Sequence, residues 1–198
     1  MAMNKLVLYG AGGHAKVLAD IAEACNYDEL VFCEDQPTKS SLLDYPVTAT
    51  INNTDNCILA IGNNKVRKIL SDKLKNKFIT LVHPKAQISN RALIKEGTVV
   101  MAGVTVNVDA NIGKHCIINT NASIDHDCVI EDFVHLSPNT ALAGNVKIGE
   151  GTHVGIGACV IQGINVGKWV TIGAGAVIIK DIPDGCTVVG NPGRIIKK

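Results

Sequence analysis

Aliphatic residues recur at every sixth position along the second half of the chain. The register holds without a break at sixteen positions: Ile88, Ile94, Val100, Val106, Ile112, Ile118, Ile124, Ile130, Leu136, Leu142, Ile148, Val154, Val160, Val166, Ile172 and Ile178. The residues four places after them are small or β-branched: Ala92, Thr98, Val104, Ala110, Cys116, Ala122, Cys128, Val134, Thr140, Val146, Thr152, Ala158, Ile164, Val170, Ala176 and Ile182. A helix repeats every 3.6 residues and a strand every two, so neither explains a period of six. A short strand followed by a turn does, and three such units close one triangular coil of about eighteen residues.

The first part of the chain has a different pattern, in which apolar strands alternate with helical stretches. Strands are predicted at residues 5–9, 30–33, 57–61 and 78–82, and helices from the glycine-rich turn to about residue 25 and at 66–75. This alternation is typical of a parallel sheet, as in half of a Rossmann fold. We therefore predict an α/β domain at residues 1–84 and a coiled parallel β-structure with a C-terminal tail at residues 85–198.

A glycine-rich turn follows the first predicted strand. Gly10-x-Gly12-x-x-Ala15 matches the dinucleotide fingerprint, in which backbone N–H groups at a helix N-terminus approach phosphates. Glu34 and Asp35 end the second strand, where an acidic side chain can accept hydrogen bonds from a ribose or a base. Because the domain has half the size that two nucleotide-binding halves need, a mononucleotide or nucleotide sugar is favoured over NAD.

The sequence leaves alternative roles open for three further residues. His14 at the helix start either caps the helix or faces a ligand phosphate, and we favour the phosphate. Asn63 and Asn64 are equally consistent with turn residues and with ligand contacts.

Composition narrows the class of partner. The formal charge is +1, from 19 basic and 18 acidic residues, which argues against nucleic acid or an anionic membrane surface as a partner. No apolar run has the length of a bilayer span and no signal peptide is recognised, so we expect a cytoplasmic protein without membrane insertion. The seven cysteines include no CxxC pair, so we expect free thiols and no metal site.

Two departures from the repeat carry candidate chemistry. His126, between Asp125 and Asp127, is the third residue of its hexad and should point outward near a corner, where a neighbouring carboxylate would make it a general base. A second feature is a column one coil apart that contains apolar residues and then two histidines: Val99, Ile117, His135, His153 and Thr171. This column indicates a subunit contact, a cofactor groove, or both.

The unbroken hexads resemble the left-handed parallel β-helix of the hexapeptide-repeat family. With the α/β half-domain, His126-Asp127-Cys128 and the Gly190-Asn191-Pro192 tail, the whole chain resembles the nucleotide-amino-sugar N-acetyltransferases, such as the bacillosamine-pathway UDP-4-amino-sugar acetyltransferase. The resemblance implies an acetyl-CoA-dependent enzyme of surface glycan or glycoprotein synthesis, which acetylates the 4-amino group of a nucleotide-linked amino-deoxy sugar without a metal.

The resemblance also implies site residues. His126 would remove a proton from the amine and Asp127 would raise its basicity, while Asn119 would contact the reacting groups. Three positions are implied for acetyl-CoA: His135 at the thioester, where it could also stabilise the oxyanion, with Ile156 and Ala174 along the cofactor groove. Those implied for the nucleotide sugar in the first domain are Gly12, Gly13, His14, Glu34, Asp35 and Gly62.

We also expect a homotrimer. His126 and His135 are half a coil apart and hence on different sides of one prism, separated by roughly 15 Å at about 3.3 Å per strand residue. Packing three prisms around a threefold axis can bring His126 of one subunit near His135 of the next.

Three alternatives stay open at this stage. They are a sugar or sialic acid O-acetyltransferase of the same fold, a zinc hydratase on the same β-helix, and a non-catalytic nucleotide-sugar-binding protein. The hydratase would need three converging histidines, and the non-catalytic protein would have lost His126 or its acidic neighbour.

Overall fold

The chain folds into an α/β domain joined to a three-sided parallel β-helix, in a computed structural model that describes residues 5–197. The α/β domain has one sheet, sheet 1, with the strand order β3-β4-β2-β1-β5-β6. Its strands are β1 (Lys5–Tyr9), β2 (Glu29–Cys33), β3 (Ser41–Leu42), β4 (Tyr45–Thr48), β5 (Asn56–Leu59) and β6 (Lys77–Phe78). Its helices are α1 (Gly13–Ala24) and α2 (Asn64–Lys73). All pairs are parallel except β3–β4, which confirms the half-Rossmann prediction.

The β-helix has three faces, each one sheet. Sheet 2 contains β7 (Leu81–Val82), β10 (Val99–Val100), β13 (Ile117–Ile118), β16 (His135–Leu136), β19 (His153–Val154), β22 (Thr171–Ile172), β24 (Thr187–Val189) and the antiparallel β25 (Arg194–Lys197). Sheet 3 contains β8 (Gln87–Ile88), β11 (Thr105–Val106), β14 (Ser123–Ile124), β17 (Ala141–Leu142), β20 (Cys159–Val160) and β23 (Val177–Ile178). Sheet 4 contains β9 (Leu93–Ile94), β12 (Asn111–Ile112), β15 (Val129–Ile130), β18 (Lys147–Ile148) and β21 (Asn165–Val166).

The hexad register accounts for the core of this β-helix. Residues eighteen apart pair in parallel, as in Ile118 with Leu136 and Leu136 with Val154. The first-position aliphatics from Val100 to Ile178 are at most 3% exposed. Burial of each such side chain stabilises the fold by about 1.5–3 kcal/mol before entropy is counted, so the stacked aliphatic columns hold the prism together.

The α/β domain packs on sheet 2. Val99 and Ile117 are each 1% exposed and belong to the same apolar cluster as Leu6, Leu18 and Leu30. The subunit-contact interpretation was therefore wrong for the two apolar members of the histidine column, because the α/β domain of the same chain covers them.

Other elements differ from the sequence predictions. The strand expected at 78–82 is split: Phe78 ends β6 in sheet 1, whereas Leu81 and Val82 form β7 and pair with β10 in the prism. The β3–β4 hairpin was missed because both strands are short and Pro46 interrupts the β4 pattern. The domain boundary at 84/85 stays a prediction.

Neither α1 nor α2, the two helices within residues 5–197, has the length and apolarity of a membrane span.

Candidate active site

A cleft of about 490 Å³ opens at the carboxyl ends of β1, β2 and β5. Its lining includes the six positions that the resemblance implied for the nucleotide sugar: Gly12, Gly13, His14, Glu34, Asp35 and Gly62. Ligands of open α/β sheets bind at this edge, because the loops that follow the strands converge there. The structure thus brings the six positions together, and their ligand stays a prediction.

Glycine occupies the positions of the first turn for different physical reasons. Gly10 has a φ of +126°, and a Cβ there would lie 2.7 Å from the carbonyl oxygen of Ala60, so only glycine fits without displacement. A Cβ on Gly12 or Gly13 would meet nothing within 4 Å. Gly12 is the N-cap of α1 and has no side chain with which to cap it. The first N–H groups of α1 are therefore accessible to a ligand in the space beside these two glycines.

Asp35 is held at the rim of the cleft. The hydroxyl of Tyr9 donates a hydrogen bond to its carboxylate, and Nζ of Lys73 lies 3.6 Å from Oδ2. The hydrogen bond from Tyr9, followed by the charge of Lys73, holds the pKa of Asp35 below its usual range. Burial and Asp35 together raise the pKa of Tyr9, so the phenol stays protonated as the donor. Asp35 is thus a fixed carboxylate that can accept hydrogen bonds from a ligand.

His14 lines the same cleft as a neutral imidazole. Burial, assisted by the charge of Arg67, lowers the pKa of His14 to about 4. Its Nε2 is buried and has no hydrogen-bond partner within residues 5–197. Because Gly12 is the N-cap of α1, the capping interpretation of His14 was wrong, and contact with a ligand phosphate stays a prediction.

Asn63 and Asn64 both make bonds within the protein. Oδ1 of Asn63 accepts hydrogen bonds from the backbone N–H groups of Lys65 (3.0 Å) and Val66 (3.1 Å), so Asn63 is the N-cap of α2. Nδ2 of Asn64 donates to the carbonyl oxygen of Gly151 at 3.0 Å, which joins α2 to the β-helix. These bonds favour a structural role for both side chains over a ligand contact.

Arg67 on α2 joins the floor of the cleft to the coils. Its side chain is buried, and its N–H groups reach five oxygen atoms: His115 O (2.8 Å), Ile61 O (3.0 Å), Gly62 O (3.3 Å), Asn64 Oδ1 (2.9 Å) and Phe133 O (2.9 Å). Burial lowers the pKa of Arg67 to about 10, so it remains a cation at neutral pH. No sequence motif pointed to this residue. Its only signal is the spacing of Arg67, Leu70 and Leu74, which places an arginine on the buried face of the helix.

His135 is the first residue of β16 in sheet 2, and its ring accepts a hydrogen bond from Asn119. Oδ1 of Asn119 accepts from the N–H of Thr120 at 2.8 Å, so its Nδ2 donates to Nε2 of His135 at 3.2 Å. Because Nε2 accepts this hydrogen bond, the proton of the neutral ring lies on Nδ1. Burial and the ring of His153, stacked at 4.8 Å, lower the pKa of His135 to about 3. The imidazole of His135 is therefore neutral at neutral pH, and its contact with acetyl-CoA stays a prediction.

His126 has the opposite environment. It lies at the corner between β14 and β15, and its side chain is 54% exposed. Nδ1 donates to Oδ2 of Asp127 at 2.8 Å, and the backbone N–H donates to Oδ1 of Asp125 at 2.8 Å. The hydrogen bond to Asp127, followed by the charge of Asp125, raises the pKa of His126 above its ordinary value. With Nδ1 bound to a carboxylate, Nε2 carries the lone pair of the neutral ring, as a general base requires.

The predicted residues lie on two edges of the prism. Asn119, Ile156 and Ala174 lie in turns that follow strands of sheet 2, the sheet on which the α/β domain packs. His126 and Asp127 follow a strand of sheet 3, so one chain does not bring them to the cleft. Within residues 5–197, no three His, Cys, Asp or Glu side chains are grouped as metal ligands.

The comparisons with known proteins agree with this architecture. The family model described as the PglD N-terminal domain matches residues 5–74. The chain is 42% identical over 113 residues to the UDP-N-acetylbacillosamine N-acetyltransferase of Bacillus subtilis, a match that spans 50% of this chain and 52% of that protein.

Solved structures also match almost the full length of the chain, including the following two. The acetyltransferase domain of PglB from Neisseria gonorrhoeae, in complex with acetyl coenzyme A, superposes with a TM-score of 0.93 at 42% identity and covers 98% of this chain and 99% of that one. A mutant of GDP-perosamine N-acetyltransferase from Caulobacter crescentus, in complex with CoA and GDP-perosamine, has a TM-score of 0.90 at 35% identity and covers 100% and 99%.

Proposed function

The chain belongs to the PglB- and PglD-type acetyltransferases, and from this premise we propose that it acetylates the 4-amino group of a nucleotide-linked amino-deoxy sugar with acetyl-CoA as donor. The substrate we propose is of the UDP-4-amino-4,6-dideoxy-N-acetylglucosamine type. The observation that carries the proposal is an exposed imidazole, His126, whose Nδ1 is bound to Asp127, so that Nε2 is left as the proton acceptor.

The nucleotide sugar is assigned to the cleft of the α/β domain. The accessible N-terminus of α1 suits a diphosphate, and the fixed carboxylate of Asp35 suits hydroxyl or N–H donors. Glu34, His14 and Gly62 complete the lining. Relatives are named for UDP- and GDP-linked sugars, so the experiment below compares acceptors with different nucleotide bases.

The proposed reaction is a direct transfer. The neutral amine attacks the thioester carbonyl of acetyl-CoA, and Nε2 of His126 takes the proton that the amine loses. The new C–N bond forms as the C–S bond breaks, and the CoA thiolate that leaves is protonated as the imidazolium of His126 gives up its proton. Asp127 stabilises the imidazolium that forms on His126.

Acetyl-CoA is assigned to the edge that follows sheet 2. Ile156, 57% exposed, offers an apolar surface there, and Ala174 lies one coil further along the same edge. His135 would meet the thioester as a neutral side chain that the amide of Asn119 holds in place.

A panel of acceptors tests the function directly. UDP-, GDP- and dTDP-linked 4-amino sugars and a free sialic acid are each incubated with acetyl-CoA, and thiol release is measured. We expect turnover with a UDP-linked 4-amino-4,6-dideoxy sugar to exceed turnover with sialic acid at least tenfold. If sialic acid is the better acceptor, the enzyme is an O-acetyltransferase, and if no sugar releases thiol, the proposal is wrong.

A trimer with sites shared between subunits is a second expected result. His126 lies on a different edge from the cleft, so we propose that the base of one subunit serves the sugar held by its neighbour. Sedimentation should then give a mass three times that of the 20.9 kDa chain.

Mixing two defective subunits tests the shared site. Gly13→Leu fills the open space of the cleft, where a Cβ meets no neighbour within 4 Å, and His126→Ala removes the base. Each variant alone should be nearly inactive at low sugar concentration. Co-refolded in equal amounts, they should recover roughly a quarter of the wild-type rate, because random assembly pairs an intact cleft with an intact base at about one site in four. Sites built within one chain would recover nothing, and an active monomer would also contradict the proposal. Lys16→Leu, an exposed position further along α1, is the control for a leucine on this helix.

A further inference from the structure

Gly144 lies directly against the ring of His126. It follows β17 at the same corner, one coil beyond His126, which follows β14. A Cβ built on Gly144 would lie 2.5 Å from both Cε1 and Nε2 of His126 and 3.1 Å from Nδ1. Non-bonded carbon atoms prefer separations of about 3.5–4.0 Å, so any side chain at this position would displace the imidazole by roughly 1 Å.

The backbone does not require glycine at this position. The φ of Gly144 lies outside the left-handed region. The corresponding positions in other coils, two residues after strands of the same sheet 3, carry side chains: Asn90, Val108, Gln162 and Lys180, besides His126 itself. Glycine is therefore needed at this corner only where the next coil meets the ring of His126.

His126 has few other restraints on its ring. Asp127 binds Nδ1 and Asp125 binds the backbone N–H, while more than half of the side chain is exposed. A displaced ring can thus rotate into solvent, and the hydrogen bond to Asp127 would be lost or bent.

We propose that Gly144 is a positioning residue, whose missing side chain lets the imidazole of His126 lie against the next coil and aims Nε2 at the acceptor amine. This inference rests on the proposed function, since it assigns Gly144 a role through the base. A misplacement of about 1 Å can cost about 100-fold in rate, so the absence of one methyl group carries a large effect.

The test is a double-mutant cycle with Gly144→Ala and His126→Ala. Gly144→Ala should lower kcat by about 10- to 100-fold, with both KM values within about threefold of wild type, because the substrates are bound by other residues. In the His126→Ala background, the same alanine should change kcat by less than about twofold, because the ring that it displaces is gone. Gln162→Ala, one coil further along the column, should retain wild-type kcat.

The double variant also separates positioning from folding. If Gly144→Ala lowers the melting temperature, the His126→Ala/Gly144→Ala protein should recover it, since the clash is with the ring alone. An equal loss of kcat in both backgrounds would overturn the inference, as would a Gly144→Ala enzyme with wild-type kcat. In either case, the kcat of the single variant His126→Ala still tests whether His126 is the general base. Wild-type kcat in His126→Ala would overturn the base and the positioning role together.

Discussion

Replacing Arg67 with methionine should lower the free energy of unfolding by about 3–5 kcal/mol, because each buried acceptor that is left without a donor costs about 1–3 kcal/mol. Four backbone carbonyl groups and the side-chain oxygen of Asn64 would lose their donor in a buried site. At about 2–4 °C for each kcal/mol in a chain of this size, the melting temperature should fall by roughly 6–20 °C in calorimetry.

Arg91→Met is the matched control. Arg91 is exposed, and the same change there should stay within about 0.5 kcal/mol of wild type. A stability of Arg67→Met within 1 kcal/mol of wild type, by the same mutational benchmarks, would contradict the role assigned to these bonds.

The Arg67 variant should also change the titration of nearby histidines. The charge of Arg67 is one cause of the lowered pKa values of His14, His115, His135 and His153. Its removal should therefore raise those pKa values toward the ordinary one, whereas the pKa of His126 should not change. NMR titration of the imidazole protons measures the pKa values of all five histidines. Unchanged pKa values at His14, His115, His135 and His153 would show that the charge of Arg67 does not influence them.

The β-helix could be predicted from sequence because its code is local. Each coil contacts only the coils before and after it, so every coil needs aliphatic residues at the same positions. The requirement therefore recurs every six residues, and its many repeats make the pattern recognisable in the sequence. A strand–turn–helix pattern predicted that Gly12 and the acids at 34 and 35 lie at the ends of adjacent parallel strands. Gly13 and Gly62 followed only from the family resemblance.

The contact between the two domains could not be predicted in the same way. Val99 and Ile117 show an apolar column but not which surface covers it, and that surface is the α/β domain of the same chain. Arg67 shows no motif, because its partners are backbone carbonyl groups from two separate regions, Ile61–Gly62 and the coils at His115 and Phe133. Backbone acceptors have no residue identity, so such a network leaves almost no trace in a sequence.

His126→Ala is the change with the largest expected effect on activity. Removal of a general base typically costs about 10²- to 10⁴-fold in rate, and kcat should fall by that order with smaller changes in either KM. Asp127→Asn should cost less, because the imidazole remains and only its charge partner is lost. His83→Ala, which removes another imidazole from the prism, serves as the control and should retain kcat within about threefold.

The pH profile identifies the base. The neutral form of His126 accepts the proton, so kcat/KM should rise with pH through its pKa, which Asp127 places above the ordinary value of 6.5. In Asp127→Asn that pKa should fall, and the rising limb should move to lower pH.

The other two candidate histidines are poorly suited to the role. The pKa values of His14 and His135, lowered to about 4 and about 3, make them weak bases at neutral pH, and Asn119 already occupies Nε2 of His135. His14→Ala and His135→Ala should therefore raise KM values more than they lower kcat. If His126→Ala keeps kcat near wild type while either of those variants abolishes it, the base lies in the cleft and not at the corner. If all three variants remain active, none of these three imidazoles takes the proton and the proposed mechanism is wrong.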